Sequence, residues 1–379
     1  MRTRLILPYA VLVSSVIFSS CSSSNGGTNG SSFVPSSQSA MQPFARRVSG
    51  NPLRLAPKLA IKEYSVPSQF SLPRVGCCGQ VMAETSDGNV DFIASQTGIQ
   101  TGAVVRFAGG TFTALPQPQA YAPYAGFTSP MVSSPTGPVY VIDMTQGFDF
   151  EQDEPVLVGY QGTALLGTIV IGSASDFTES AGTDAEGKFW WSDDAGTLNA
   201  YKNFPIGPRT SASTTDIFTA MAYGPNNALW LYGVDNSIYE VSAAGVLIKQ
   251  FALPYTGGHV SMRMTALGNS VWFLYFQNYA SSAVSIIRMT KGGTFTQFPL
   301  PSGVAATALA AGGDGAIWFI SPSSNQLGRM SSNGKVKLYS VPTANAGLAA
   351  IAGPFVFSEQ CKNGPIWFME SNANKIGSI

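Results

Sequence analysis

The amino-acid sequence predicts an all-β protein, a seven-bladed β-propeller built from four-stranded antiparallel blades. Three observations predict it. A short apolar pattern returns seven times, the last copy stops unfinished, and a segment near the start matches what that copy lacks. Forty glycines and twenty-four prolines, spread along 379 residues, suit the many turns between short strands. Two domains would fit this length, but propeller blades cannot bury their faces separately, so the repeat argues for one.

The repeated pattern is a turn followed by three residues, with a large aromatic usually in the middle. The clearest copies are Ile317-Trp318-Phe319, Ile366-Trp367-Phe368, Val271-Trp272-Phe273 and Leu229-Trp230-Leu231. Weaker copies precede them: Phe189-Trp190-Trp191, Val139-Tyr140-Val141 and Val90-Asp91-Phe92. The middle positions are 91, 140, 190, 230, 272, 318 and 367, a spacing of 40 to 50 residues. Five of the six tryptophans hold that middle position and Trp191 sits beside one, which identifies them as packing anchors between blades.

The sixth copy shows the layout of a blade. Leu309-Ala310 begins an innermost strand, whose small residues suit strands that converge on an axis. Residues 312–315 turn the chain and 317–320 form a second strand. A third strand spans 325–330, Asn333-Gly334 supplies a tight hairpin turn, and 336–341 forms an outer strand stopped by Pro342. The seventh copy has a second strand at 366–370 and a third at 374–379, and then no outer strand. Near the start, however, Ile61-Lys62-Glu63-Tyr64-Ser65-Val66-Pro67 nearly copies Val336-Lys337-Leu338-Tyr339-Ser340-Val341-Pro342. The N-terminal segment is therefore expected to complete the last blade, with Tyr64 alongside Ile376. Closure of this kind removes two exposed sheet edges.

Residues 1–21 read as an export signal. Arg2 and Arg4 precede an apolar stretch at 5–18, and Phe18-Ser19-Ser20-Cys21 places small residues before a cysteine. This resembles a bacterial lipoprotein signal, in which Cys21 is lipidated; an ordinary cleaved signal is the alternative. The apolar run is shorter than the ~20 residues that a spanning helix needs. Residues 22–58 then form a Ser/Gly-rich tether, and 59–379 the propeller. The expected location is the cell envelope, at its periplasmic or extracellular face, with membrane contact through the lipid anchor only. Cys77, Cys78 and Cys361 allow one disulfide, either from Cys361 to one of the neighbours or between the neighbours themselves. Their spacing is not that of a zinc site.

Charge excludes one class of partner. Only 11% of residues are charged, and 21 basic residues balance 21 acidic ones. No basic stripe is available to displace counterions from a nucleic acid.

The phrases Gly-Ala-Ile-Trp-Phe (315–319), Gly-Pro-Ile-Trp-Phe-Met-Glu (364–370), Asn-Lys-Ile-Gly-Ser-Ile (374–379) and Phe-Pro-Leu-Pro (298–301) resemble the repeat of the streptogramin (virginiamycin B) lyase family. The resemblance is specific over 222–379, and only spacing carries it earlier. It implies a seven-bladed propeller and, for the family's enzyme, ring opening of a cyclic depsipeptide at its ester by elimination. That chemistry uses a histidine base, an acidic group, a second histidine and magnesium. The present chain departs from it, because His259 is the single histidine of the sequence. His259 follows Thr256-Gly257-Gly258, where the family often has a Gly-Pro-His-Gly phrase, in a connection expected at the ligand-binding mouth.

The leading expectation is a monomeric scaffold that binds a sugar, peptide or envelope protein through His259, Tyr255, Arg263, Asp193 and Asp194. Glu370, at the family's repeated Glu position, is expected to pack or hydrogen-bond to a neighbouring turn. The alternative is a lyase-like or lactonase-like metal-assisted enzyme with a degenerate site, for which His259 is the catalytic candidate; a purely structural envelope component is a third. No cofactor is expected for the scaffold. Magnesium or calcium would serve the enzyme, with Asp149, Glu151 and Asp153 as candidate oxygen ligands in the densest acidic stretch.

Overall fold

The computed structural model describes residues 59–73, 80–97, 102–118, 131–144, 155–172, 178–193, 195–214, 216–255, 258–277, 282–354 and 364–379, and a short strand at Ile17–Ser19. These residues form seven sheets of the expected kind. Each blade runs from an innermost to an outer strand by antiparallel neighbours, so the fold is a seven-bladed β-propeller. Blade six comprises Ala308–Ala311, Ile317–Ser321, Gln326–Met330 and Val336–Ser340. Innermost strands carry small residues, as in Leu348–Ala352 (LAAIA) of blade seven, which is buried throughout. In blade one the innermost position is split, with Phe70–Ser71 pairing one end of Val90–Gln96 and Met82–Glu84 the other. The strand Ile17–Ser19 lies parallel to Met221, Ala222 and Tyr223 of the innermost strand of blade four. No helix among the described residues is long and apolar enough to cross a membrane.

Blade seven consists of Leu348–Ala352, Trp367–Glu370 and Lys375–Ser378, completed by Lys62–Ser65. The register pairs Lys62 with Ser378, Glu63 with Gly377, Tyr64 with Ile376 and Ser65 with Lys375. Side-chain packing confirms the substitution of one segment for another. In blades four, five and six an outer-strand aromatic stacks on the central tryptophan: Phe251 on Trp230, Phe298 on Trp272 and Tyr339 on Trp318. In blade seven Tyr64 takes that place, 6.0 Å from Trp367.

The tryptophans pack forward into the next blade. Trp230 joins Met264 and Phe273 of blade five, and Trp272 joins Leu309 and Phe319 of blade six. Trp367 joins Phe92 and Phe107 of blade one, across the closure. Blade three uses two, Trp190 toward blade four and Trp191 toward blade two. The Asp91 exchange in blade one also has a physical reason. The third-strand residue opposite the central position is Arg288 in blade five and Arg329 in blade six, and Arg106 in blade one. Arg288 lies over the Trp272 ring, whereas Arg106 makes a 2.9 Å ion pair with the buried Asp91 carboxylate. A cation over an aromatic face is thus replaced by a cation on an anion. Burial outweighs the attraction of Arg106 and pushes the Asp91 carboxyl up to about 7.

Two further residues of the repeat have local causes. Phe319 lies opposite Gly328 and Phe368 opposite Gly377. A Cβ at either glycine would fall 1.9 Å or 2.1 Å from the ring, so the Phe and the Gly must occur together. The asparagine between second and third strands has a positive φ of 67° at Asn236, 52° at Asn325 and 51° at Asn374. Asn and Gly tolerate that conformation best. Each holds the chain leaving the neighbouring outer strand: Asn236 Nδ2 donates to Tyr255 O, and Asn325 Nδ2 to Thr343 O. Asn374 does the same for the N-terminal segment. Its Nδ2 donates to Val66 O (3.2 Å) and Phe70 O (2.9 Å), and its Oδ1 accepts from Leu72 N (3.0 Å).

Replacing Asn374 by Ala removes these bonds and leaves a β-carbon residue at positive φ. Equilibrium urea unfolding is expected to show a loss of about 2–4 kcal/mol. A loss no greater than that of an exposed-turn substitution such as Asn333→Ala would contradict the role given to it.

Candidate functional site

Antiparallel order fixes which connections share a face. The turns between second and third strands, and the links from an outer strand to the next innermost strand, emerge together at one mouth; the remaining turns emerge at the other. Asp193, at the end of a second strand, and Tyr255 and His259, at a link and the start of an innermost strand, all belong to the first mouth.

The backbone of His259 is the second residue of strand Gly258–Leu267 and pairs with Phe276. The register shifts between Val260 and Met264, so residues 261–263 oppose Leu274 alone in an irregular bulge. Arg263 lies in this bulge and is buried. The Tyr255 ring packs on Tyr275 (5.2 Å) and Phe295 (6.3 Å). Burial, and secondarily Tyr275, raise its phenol pKa. Asp193 serves its own turn: Oδ1 accepts from Thr197 N (2.7 Å) and Oδ2 from Asn199 Nδ2 (3.1 Å). Asp194, Asp149, Glu151, Asp153, Cys21, Cys77, Cys78 and Cys361 lie outside the described residues. Among the described residues, no three His, Cys, Asp or Glu side chains come close enough to share a metal ion.

The same mouth carries a carboxyl pair that the sequence did not single out. Asp216 lies on the link from blade three to blade four, and Asp235 on the turn between the second and third strands of blade four. A Cβ at Gly233 would stand 1.8 Å from Asp216 Oδ2 and 2.8 Å from Asp235 Oδ1, so glycine there admits both carboxyls. Asp235 Oδ2 accepts from Tyr239 OH (2.7 Å) and Gln250 Nε2 (2.9 Å), and Oδ1 from Ser237 N (3.0 Å). Burial raises Asp235, but these donors and Asp216 outweigh it and lower its pKa. Asp216 accepts from Ile217 N (2.9 Å), and burial together with the Asp235 carboxylate raises it. The pair thus sets two carboxyls of unequal acidity side by side, where a ligand hydroxyl or amine could meet their oxygens. Through Asn236 and its bond to Tyr255 O, the pair is tied to the link that leads to His259. Its sequence signal is weak: an Asp directly before the repeat's asparagine, which blade six replaces by Ser324 and blade seven by Ala373.

Fold and repeat together define a streptogramin lyase-like seven-bladed propeller. Residues 202–379 match the virginiamycin B lyase family. No curated protein matches. Among solved structures, a streptogramin B lyase is 18% identical, with a TM-score of 0.61 over 84% of this chain and 96% of that one. A catalytically inactive histidine-to-alanine variant of virginiamycin B lyase from Staphylococcus aureus, with quinupristin, is also 18% identical, at 0.59 over 84% and 98%. The Cps50 (Swd1) β-propeller domain of Myceliophteria thermophila is 10% identical, at 0.57 over 83% and 97%. At these identities the likeness concerns the fold, which hosts unrelated functions.

The carboxyl pair makes opposite pH predictions. An acid raised on folding contributes most below its unfolded value, 3.8, and loses that contribution as pH rises. Asp216→Asn should therefore raise the thermal midpoint at neutral pH relative to acid pH. A lowered acid contributes above 3.8 and loses it as pH falls, so Asp235→Asn should cost more at neutral pH. Parallel thermal melts of both variants check the signs, and equal pH profiles would contradict the assignment.

Proposed function

We propose that the protein is an exported, lipid-anchored propeller that binds a ligand or envelope partner at this mouth, without the elimination chemistry of the lyase. The observation that carries the reading is the single histidine, His259. The family's reaction divides its work between two histidines, and this chain offers one, near the start of the innermost strand of blade five. The Asp216–Asp235 pair, two carboxyls side by side at this mouth, supports binding of a hydroxyl- or amine-bearing ligand. Export and anchoring rest on the Arg2/Arg4 start, the apolar stretch and Cys21.

A cyclic depsipeptide of the quinupristin type, alongside neutral and amino sugars, is the discriminating panel. Thermal-shift titration with and without Mg²⁺ is expected to show stabilisation by a panel member, with quinupristin recovered intact. A linear product that disappears in His259→Ala would replace this reading by the lyase. In cells, Cys21→Ser is expected to move the protein from the membrane to the soluble fraction; unchanged membrane association would refute the anchor.

A further inference from the structure

The seam that closes the ring carries a cluster of charged and polar side chains. Glu63, on the closing strand, accepts from Lys375 Nζ (3.0 Å) and from Thr343, at its backbone N (3.0 Å) and Oγ1 (2.9 Å). Lys375 Nζ also donates to Thr343 Oγ1 (2.8 Å). Three separate parts of the chain meet in this group: the closing strand, the third strand of blade seven and the link leaving blade six. Burial raises the Glu63 carboxyl, but Lys375 and Thr343 outweigh it and hold it below its ordinary value.

Glu370 completes the group. It pairs with Lys375 across the adjacent strand, and Lys375 pairs in turn with Ser65, so all are on one ladder. Its side chain is fully buried, and neither oxygen makes a well-formed hydrogen bond among the described residues, although Thr343 and Glu63 stand close enough to act on it. An ionised carboxylate so placed lacks the donors that would compensate its lost hydration. The charged groups that face it are Glu63, from the closing strand, and Lys375, from the third strand. The link from blade six contributes Thr343, the paired position of the innermost strand is Leu348, and the turn at 371–374 has no charge. Glu84 of blade one lies against Gly364, near the other end of the same strand.

We propose that Glu370 makes the ring closure a pH-responsive clasp: protonated, it lets Glu63 hold Lys375 and Thr343, and ionised, it sets a second buried anion against Glu63 and loosens Lys62–Ser65. Burial, followed by the charge of Glu63, supports this by raising Glu370 to about 7, against the pull of Thr343 and Lys375. The sign follows directly. A raised acid stabilises most below its unfolded value, 4.5, and that contribution is lost as pH rises from there to about 7. The clasp lies on the same mouth as His259 and the Asp216–Asp235 pair, since its members occupy a link, a second-strand end and a third-strand start. The inference stands independently of the binding function.

Amide hydrogen exchange of the full chain, corrected for the intrinsic pH dependence, tests it. Protection at Lys62–Ser65, relative to Ser285–Thr290 of blade five, is expected to fall about tenfold or more between about pH 5 and about pH 8. Glu370→Gln should remove most of that fall. If this variant does not fold, Glu63→Gln takes its place and should move the fall to lower pH. The proposal is overturned if the native protein shows no relative fall, if Glu370→Gln falls as steeply, or if the fall in Glu63→Gln stays at its original pH.

Discussion

The pairing of Lys62–Ser65 with Lys375–Ser378 is the constraint on which the rest of the ring depends. A propeller blade buries both faces only between two neighbours, so a missing outer strand would expose Trp367 and leave blade one without its full partner. Tyr64 prevents this by packing on both Phe107 (4.6 Å) and Trp367 (6.0 Å). The contact with Trp367, like the strand pairing itself, joins segments roughly 300 residues apart in sequence, which makes ring closure a non-local event. Loop-closure entropy must be spent before such contacts contribute, and this is why several independent interactions converge on the seam. Backbone pairing, aromatic packing, the Asn374 clamp and the Glu63–Lys375–Thr343 group all act at the same place.

The blades share one plan, and each varies it where local chemistry allows. A forward-packing tryptophan, an outer-strand aromatic lid and an asparagine at positive φ recur in blades four, six and seven. Blade one keeps the arginine opposite the central position but replaces the ring it would cover by Asp91. Blade five interrupts the regular pairing of its first two strands between Val260 and Met264, next to His259. Variation thus reaches both the mouth and, in blade one, the buried central position, while the strand plan of each blade is kept. A shared frame with chemically distinct loops results.

The architecture was legible because it repeats: seven central residues, the incomplete last copy and the near-identity of residues 61–67 with 336–342 sufficed for blade count and closure. Tyr64 beside Ile376 is the register that this comparison implied. The site was much less legible. The sequence places Asp193 and Arg263 only by position near the inner-strand entries; in the fold the Asp193 oxygens bond the turn at Thr197 and Asn199, and Arg263 is buried. Asp216 and Asp235 carry little sequence signal because they are 19 residues apart, one on the link into blade four and the other on a turn within it; only the fold makes them neighbours. Glu370 was visible as a repeat residue, yet its proximity to Glu63 required the closure to be known first.

The most direct measurement of the closure is an engineered cross-link. With Cys77, Cys78 and Cys361 replaced by Ser, the pair Lys62→Cys and Ser378→Cys places thiols at directly paired positions of the seam without disturbing the Glu63 group. The account predicts that this protein oxidises to one intramolecular disulfide joining the two ends of the propeller, visible as faster migration on a non-reducing gel. Thiols that remain free in the folded, oxidised protein would contradict it.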